Sequence, residues 1–262
     1  MILHPGLTYY VTVTACNGAG MCSSVSSDGI IVDVTPPAQG TVSDGVEPID
    51  IDYQATRNFI GAKWWGFSEP ESGILHYSWW VGVTKGGSEI FPETVLHQNE
   101  MAYLSSMPGD KPLPVGTKIY ITIRATNYAG LSSQATSNGF IIDSTPPVFT
   151  EKPNIVDDIG VFGPVTQVIS TLISVEWTIN DEESYIEETY VSLTASSQQG
   201  DKDLSSATVR LEGAHPGLYT FTNLRMQDGS YYYVTVKSCN AAKMCAVDTS
   251  YGRMVDTSPP TT

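Results

Sequence analysis

Recurring carboxylates are the residues of this chain best placed to do chemistry. Asp33, Asp143 and Asp256 each stand three residues before a Pro-Pro pair, in Asp-Val-Thr-Pro-Pro, Asp-Ser-Thr-Pro-Pro and Asp-Thr-Ser-Pro-Pro. The acidic pairs Glu69/Glu71 and Asp181/Glu183 sit in matching contexts, Glu-Pro-Glu-Ser-Gly-Ile and Asp-Glu-Glu-Ser-Tyr-Ile. Asp44, Asp50 and Asp52 crowd the stretch after the first Pro-Pro. Calcium takes six to eight oxygens, with several carboxylates converging. A junction that brought Asp33 and Asp44 to the Glu69–Glu71 loop would supply part of such a shell. Around Asp143 the following junction offers only Asp157 and Asp158. The competing reading is that the repeated Asp caps the turn into Pro-Pro with its own side chain, as Asp readily does. No cofactor is required by any motif. Calcium at Asp33, Asp44 and Asp143 is the one inorganic ligand the pattern suits.

Catalysis finds little support. The four histidines, His4, His76, His97 and His215, lie in no HExxH, nucleophile-elbow or Cys-His setting. His-Pro-Gly-Leu occurs twice, at His4 and His215, but at different strand positions, so these read as surface-turn residues. The acidic pairs could act as general acid and base, yet they sit on a short loop beside Ser and Gly with no cleft implied. The chain reads as non-enzymatic.

The cysteines point to a compartment. Cys16 and Cys22 hold two positions of one repeat, and Cys239 and Cys245 hold the same two of another. In the middle repeat both are replaced together, by Thr126 and Ser132. Pairwise presence and absence is the mark of a local disulfide. The spacing suits a hairpin end better than a zinc site, which usually has closer pairs and further ligands. Disulfides persist in oxidising compartments, so the chain reads as extracellular or lumenal. With 28 acidic against 13 basic side chains the formal charge is −15. Nucleic acid and anionic membrane surfaces are therefore excluded as expected partners, since both need clustered Lys and Arg. No apolar run approaches the roughly 18 residues that span a bilayer. No signal peptide is visible at the start, and the sequence reads as an internal piece of a longer chain.

Strands must carry these residues. Tyr9–Ala15, Lys118–Ala125 and Tyr232–Ser238 alternate at period two with β-branched and aromatic side chains. Each run meets a turn, Asn17-Gly-Ala-Gly, Asn127-Tyr-Ala-Gly or Asn240-Ala-Ala-Lys, and then a last strand that ends in the Asp. From Asn to the final Pro the three copies align without insertion or deletion. Their period of about 110 residues is that of whole tandem domains. No sustained 3.6-residue period is present, so the expected class is all-β, tandem antiparallel sandwiches. Pro-Pro cannot donate to a ladder and stiffens the chain. It marks boundaries that give residues 1–37 as the last two strands of a truncated repeat, 38–147 as one domain and 148–260 as the next.

These residues resemble fibronectin type III-like repeats. The segment from Leu3 through Tyr9 to Asn17 looks like that family's E–F corner and F strand, including the corner tyrosine; Phe221–Leu224 followed by Tyr232 resembles it too. Trp65 and Trp177 look like the family's B-strand core tryptophan, each nine residues before an Ile, Ile74 and Ile186. The middle repeat departs from the pattern in having Ile119 at the corner position and a longer Lys85–Met107 region. With Trp65 inward, Trp64 would face out. Trp80 would face out beside Tyr120 on the other sheet, an aromatic platform for sugar rings or a protein partner. The alternative is that such aromatics are covered by a loop. The resemblance implies an extracellular, non-catalytic adhesion or spacer segment of a larger secreted or membrane-anchored protein, with extracellular proteins or glycans as partners. The alternative function is a carbohydrate-binding accessory module of an extracellular enzyme. Neither Arg-Gly-Asp nor Asn-x-Ser/Thr occurs.

Overall fold

In the computed structural model, the residues described are 2–97, 99–156, 166–167, 169–196, 203–213 and 216–259. They form two compact units, 1–52 with 57–141 and 53–56 with 142–262. Asp157, Asp158 and His215 lie outside the described residues.

In the first unit the alternating sequences become a sandwich. Ile60–Trp65 is the middle strand of a three-stranded antiparallel sheet, flanked by Thr41–Asp44 and Met101–Leu104. In the facing sheet Lys118–Asn127 pairs with Ile74–Gly82 on one side and with Ser132–Thr136 and Phe140–Ile142 on the other, and Phe91–Leu96 lies outside Ile74–Gly82. Period-two alternation sends Ile119, Ile121, Ile123 and Ala125 inward, where all are fully buried against Ile60, Ala62 and Trp64 of the first sheet's inner face. The second unit repeats the plan. Val148–Val156, Ile173–Asn180 and Gly217–Phe221 make its three-stranded sheet, and Tyr231–Asn240 pairs in the other with Ile186–Ser196, Cys245–Thr249 and Arg253–Val255. Its core joins Val175, Trp177 and Ile179 to Val191, Val234 and Val236. Gly217 lies directly opposite Trp177, and a Cβ there would fall 1.9 Å from the indole. The ring fits only because that strand has no side chain at this point. In each unit a three-stranded sheet thus faces a six-stranded one, the sandwich architecture of the fibronectin type III-like repeats the sequence resembles.

The tyrosine corner forms in two of the three copies. Tyr9 Oη accepts the His4 N–H at 2.8 Å, and Tyr232 Oη accepts the Gln227 N–H at 2.8 Å. The first copy is a hairpin, Thr12–Cys16 with Cys22–Ser26, extended by Thr8–Tyr9 against Ile30–Ile31. Val11, Val13 and Val25 are exposed, whereas Ile121 and Ile123, their counterparts in the middle copy, are fully buried. Both cysteine pairs stand directly across a hairpin at disulfide distance, Cys16–Cys22 at 2.01 Å and Cys239–Cys245 at 2.06 Å.

The expected facing of Trp64 and Trp65 is overturned. Trp64 is 1% exposed and packs edge-on against Tyr77, while Trp65 is 52% exposed. Trp64, not Trp65, is the counterpart of Trp177. Trp64 shares the inner strand face with Ile60 and Ala62, and after Gly66 (φ +81°) the chain turns so that Phe67 returns to the core. Equal spacing to Ile74 and Ile186 hid this, because it aligns Trp65 with Trp177. Trp80 points away from the core but is only 5% exposed. Its Nε1–H donates to Gly86 O at 2.9 Å, and the Arg124 guanidinium lies 4.8 Å from its ring. Tyr120 is half-buried, with the Lys118 amine 6.0 Å from its ring. No Trp64–Trp80–Tyr120 platform is available.

Candidate functional site

The side chains that converge in each unit are the repeated carboxylates, and an asparagine organises them. Asn127 ends the long strand before the hairpin turn and is fully buried. Its Oδ1 accepts the N–H groups of Ala129 (3.1 Å) and Leu131 (2.8 Å), which fixes the turn and leaves the amide N–H2 pointing away from it. That amide donates to Asp33 Oδ2 at 2.7 Å, Thr35 O at 3.0 Å and Glu69 Oε2 at 3.2 Å. The surrounding bonds close the network. Asp33 Oδ1 accepts the Thr35 N–H at 3.1 Å, Ser72 Oγ donates to Asp33 Oδ2, and Thr35 Oγ1 donates to Glu71 Oε2 at 2.8 Å. Glu69 Oε1 accepts the Glu71 N–H at 2.9 Å, shaping the loop that presents both acids.

The second unit builds the same lock from equivalent residues. Asn240, fully buried, accepts the Met244 N–H at 2.8 Å and donates to Thr145 O at 2.9 Å and Asp181 Oδ2 at 3.0 Å. Asp143 Oδ1 accepts the Thr145 N–H at 3.3 Å, and its Oδ2 accepts Ser184 Oγ–H at 2.5 Å. Thr145 Oγ1 donates to Glu183 Oε2. Asp181 Oδ1 caps its loop by accepting the N–H groups of Glu183 (3.1 Å) and Ser184 (2.8 Å). The aspartates differ in proton affinity. The Ser72 hydroxyl holds Asp33 below the usual carboxylate range, whereas burial pushes Asp143 above it, aided by the neighbouring charges of Asp181 and Glu183.

The oxygens of Asp33, Glu69 and Glu71 lie within 4.8 Å of one another, as do those of Asp143, Asp181 and Glu183. Each trio could contribute three ligands to a cation. Calcium needs at least six, and in each cluster the carboxylates already accept bonds from an amide N–H2 and two hydroxyls. The network therefore has the chemistry of a hydrogen-bonded clamp on the Asp-x-Thr-Pro-Pro segment. Asp33 and the Glu69–Glu71 loop meet as expected, and Asp143 has equivalent partners in Asp181 and Glu183. Asp44 does not join them. It is fully buried elsewhere, with Oδ2 accepting the Gly139 N–H at 2.9 Å. Reasoning from sequence missed the central role of Asn127 and Asn240, although the repeated Asn at the start of each turn was the available signal. Asp256 retains the local cap, its Oδ1 accepting the Ser258 N–H at 3.2 Å.

No protein-family model and no curated protein matches the chain. Among solved structures, it is similar to the FN1–FN3 domains of chicken CNTN1, at 17% identity and a TM-score of 0.39, over 95% of this chain and 79% of that one. It is also similar to a Ca2+-stabilized adhesin that helps an Antarctic bacterium reach out and bind ice. That match is at 14% identity and a TM-score of 0.35, over 95% of this chain and 56% of that one.

Proposed function

We propose that this chain is a non-catalytic extracellular segment of tandem fibronectin type III-like sandwiches that acts as an adhesive spacer within a larger secreted or membrane-anchored protein. The supporting observation is the repeated lock: in each unit an Asn, an acidic loop and a Ser bind the Asp-x-Thr-Pro-Pro segment leading into the sandwich. Such a lock removes freedom from the stretch of chain where tandem domains usually flex, and Pro-Pro stiffens it further. A spacer needs that property. The two cysteine pairs and the acidic surface fit an extracellular setting. Small-angle scattering of the intact chain and of Asn127→Ala/Asn240→Ala tests this. The reading expects a narrow distribution of dimensions that broadens in the double variant, and identical profiles would overturn it.

A second reading, a carbohydrate-binding accessory module, is favoured by one observation. Trp65, at 52% exposure, and Tyr103, at 58% and stacked on Phe59, lie on the outward face of the three-stranded sheet. Glycan-array binding that is lost in Trp65→Ala would establish it, whereas a silent array leaves the spacer reading in place.

A further inference from the structure

Asp44 is a carboxyl group that makes no ion pair among the described residues. It ends the edge strand Thr41–Asp44 and is fully buried. Oδ2 accepts the Gly139 N–H at 2.9 Å, and the Ser137 hydroxyl adjoins the same carboxyl. The other, Oδ1, is buried with no partner among the described residues. Ser137 and Gly139 immediately precede Phe140–Ile142 of the opposite sheet, so this carboxyl joins the two layers of the sandwich. Gly139 has φ of +84°, and a Cβ there would lie 2.8 Å from Ile119 O. The N–H that meets Asp44 is thus held by a backbone only glycine adopts easily.

Two charged groups face Asp44. The Asp50 carboxylate, on the following loop, accepts the Asp44 N–H at 2.7 Å and the Ser43 hydroxyl at 3.1 Å, and it opposes ionisation. Lys118, on the strand beside Phe140–Ile142, favours it. We propose that Asp44 is a proton-operated clasp, which holds the two sheets of the first unit together when protonated and loosens them when it ionises. An ionised carboxylate needs its second oxygen hydrogen-bonded or solvated, and Oδ1 is buried, so ionisation favours the parting of Thr41–Asp44 from Ser137–Gly139.

Burial, the dominant cause, pushes the Asp44 carboxyl from 3.8 up to about 7, against the bonds from Ser137 and Gly139. A carboxyl whose folded value is raised binds its proton more tightly in the folded state. Its contribution is fully present below the unfolded value near 4 and is lost as pH rises through about 7. The second unit is a built-in control. Ser250 holds the place of Ser137, its Oγ accepting the Val234 N–H at 2.9 Å as Ser137 Oγ accepts that of Ile121 at 3.1 Å. There the connection to the first strand is made by Arg253, which donates to Ile155 O at 2.5 Å.

The experiment is a carbon-detected NMR titration of the Asp44 carboxyl in the intact chain, with denaturation of wild type and Asp44→Asn at pH 5 and pH 8. The expected titration lies within about a unit of pH 7. The folding constant of the first unit, relative to the variant, should fall by about 100-fold at most between those pH values, roughly tenfold per unit up to the titration point. The second unit should be equally stable in wild type and variant at each pH. Titration in the ordinary aspartate range, or a gap between wild type and variant that is equal at both pH values, overturns the proposal. If Asp44→Asn fails to fold, the wild-type titration alone decides.

Discussion

Replacing Asn127 with Ala removes the centre of the first lock while leaving every carboxylate in place. The loss can be worked bond by bond. The amide N–H2 makes three hydrogen bonds, two of them to carboxylates, and Oδ1 accepts two from the turn backbone. A neutral buried bond contributes about 1 kcal/mol net and one to a charged group about 1.5–3 kcal/mol. The gross figure is thus on the order of 6 kcal/mol. Asp33, Glu69 and the turn backbone regain water, because they are only partly buried, so about half that is expected, roughly 3 kcal/mol. In a domain of about 100 residues this lowers the melting temperature by on the order of 15 °C. Scanning calorimetry that separates the two unfolding transitions is the assay, with the first shifting and the second fixed. Asn17→Ala is the matched control. Asn17 makes the same kind of turn bonds, to Ala19 and Met21 at 3.0 Å each, but in an exposed hairpin. Its removal should cost less than about 1 kcal/mol. If Asn127→Ala behaves like Asn17→Ala, the lock is decoration and the reasoning fails.

Calcium offers a direct check of the clamp chemistry. Because donors already meet the carboxylates, adding millimolar calcium or EDTA should move neither melting transition by more than about a degree, and a rise of several degrees reversed by EDTA would show that the two acidic trios bind the ion. Gly217→Ala should destabilise the second unit by at least about 2 kcal/mol in urea denaturation, since its Cβ would overlap the Trp177 indole and both groups sit on paired strands; a smaller cost would mean the ring can move aside. Replacing Cys239 and Cys245 together by Ser should cost the second unit about 2 kcal/mol at most, because the closed loop is short. The same change at Cys16 and Cys22 should leave both sandwich transitions where they are, and a shift there would show that the exposed hairpin supports a core.

The strands were legible because period two is a backbone property. Once Ile119, Ile121 and Ile123 alternate with polar neighbours, one face has to be buried. The corner tyrosines were legible for a similar reason, since the Tyr9 and Tyr232 bonds to the backbone are local. Facing was not. Trp64 enters the core because it shares a strand face with Ile60 and Ala62, and counting back from Ile74 across the Gly66 turn put Trp65 in its place. Trp80 was read as exposed because its outward direction is a strand property, whereas its cover by Gly86 and Arg124 is tertiary. The acidic cluster was half legible. Asp33 and Glu69–Glu71 could be paired by their repetition, but Asn127 reads as an ordinary turn residue. Its role emerges only when the turn consumes Oδ1 and leaves the amide nitrogen facing the acids.

The lock also redraws the borders along which such a repeat can be cut and pasted. Pro-Pro looks like the natural seam, yet Asp143 and Thr145 lie ahead of it and belong to the body they are bonded to. A fragment trimmed to start at Val148 would deprive Asn240 of the Thr145 carbonyl, Ser184 of the Asp143 carboxylate and Glu183 of the Thr145 hydroxyl. One that starts a few residues earlier carries its own latch. Duplication or grafting in this series therefore keeps each sandwich intact best when the Asp travels with the sandwich that follows it, as a leading tab fitted to its own slot.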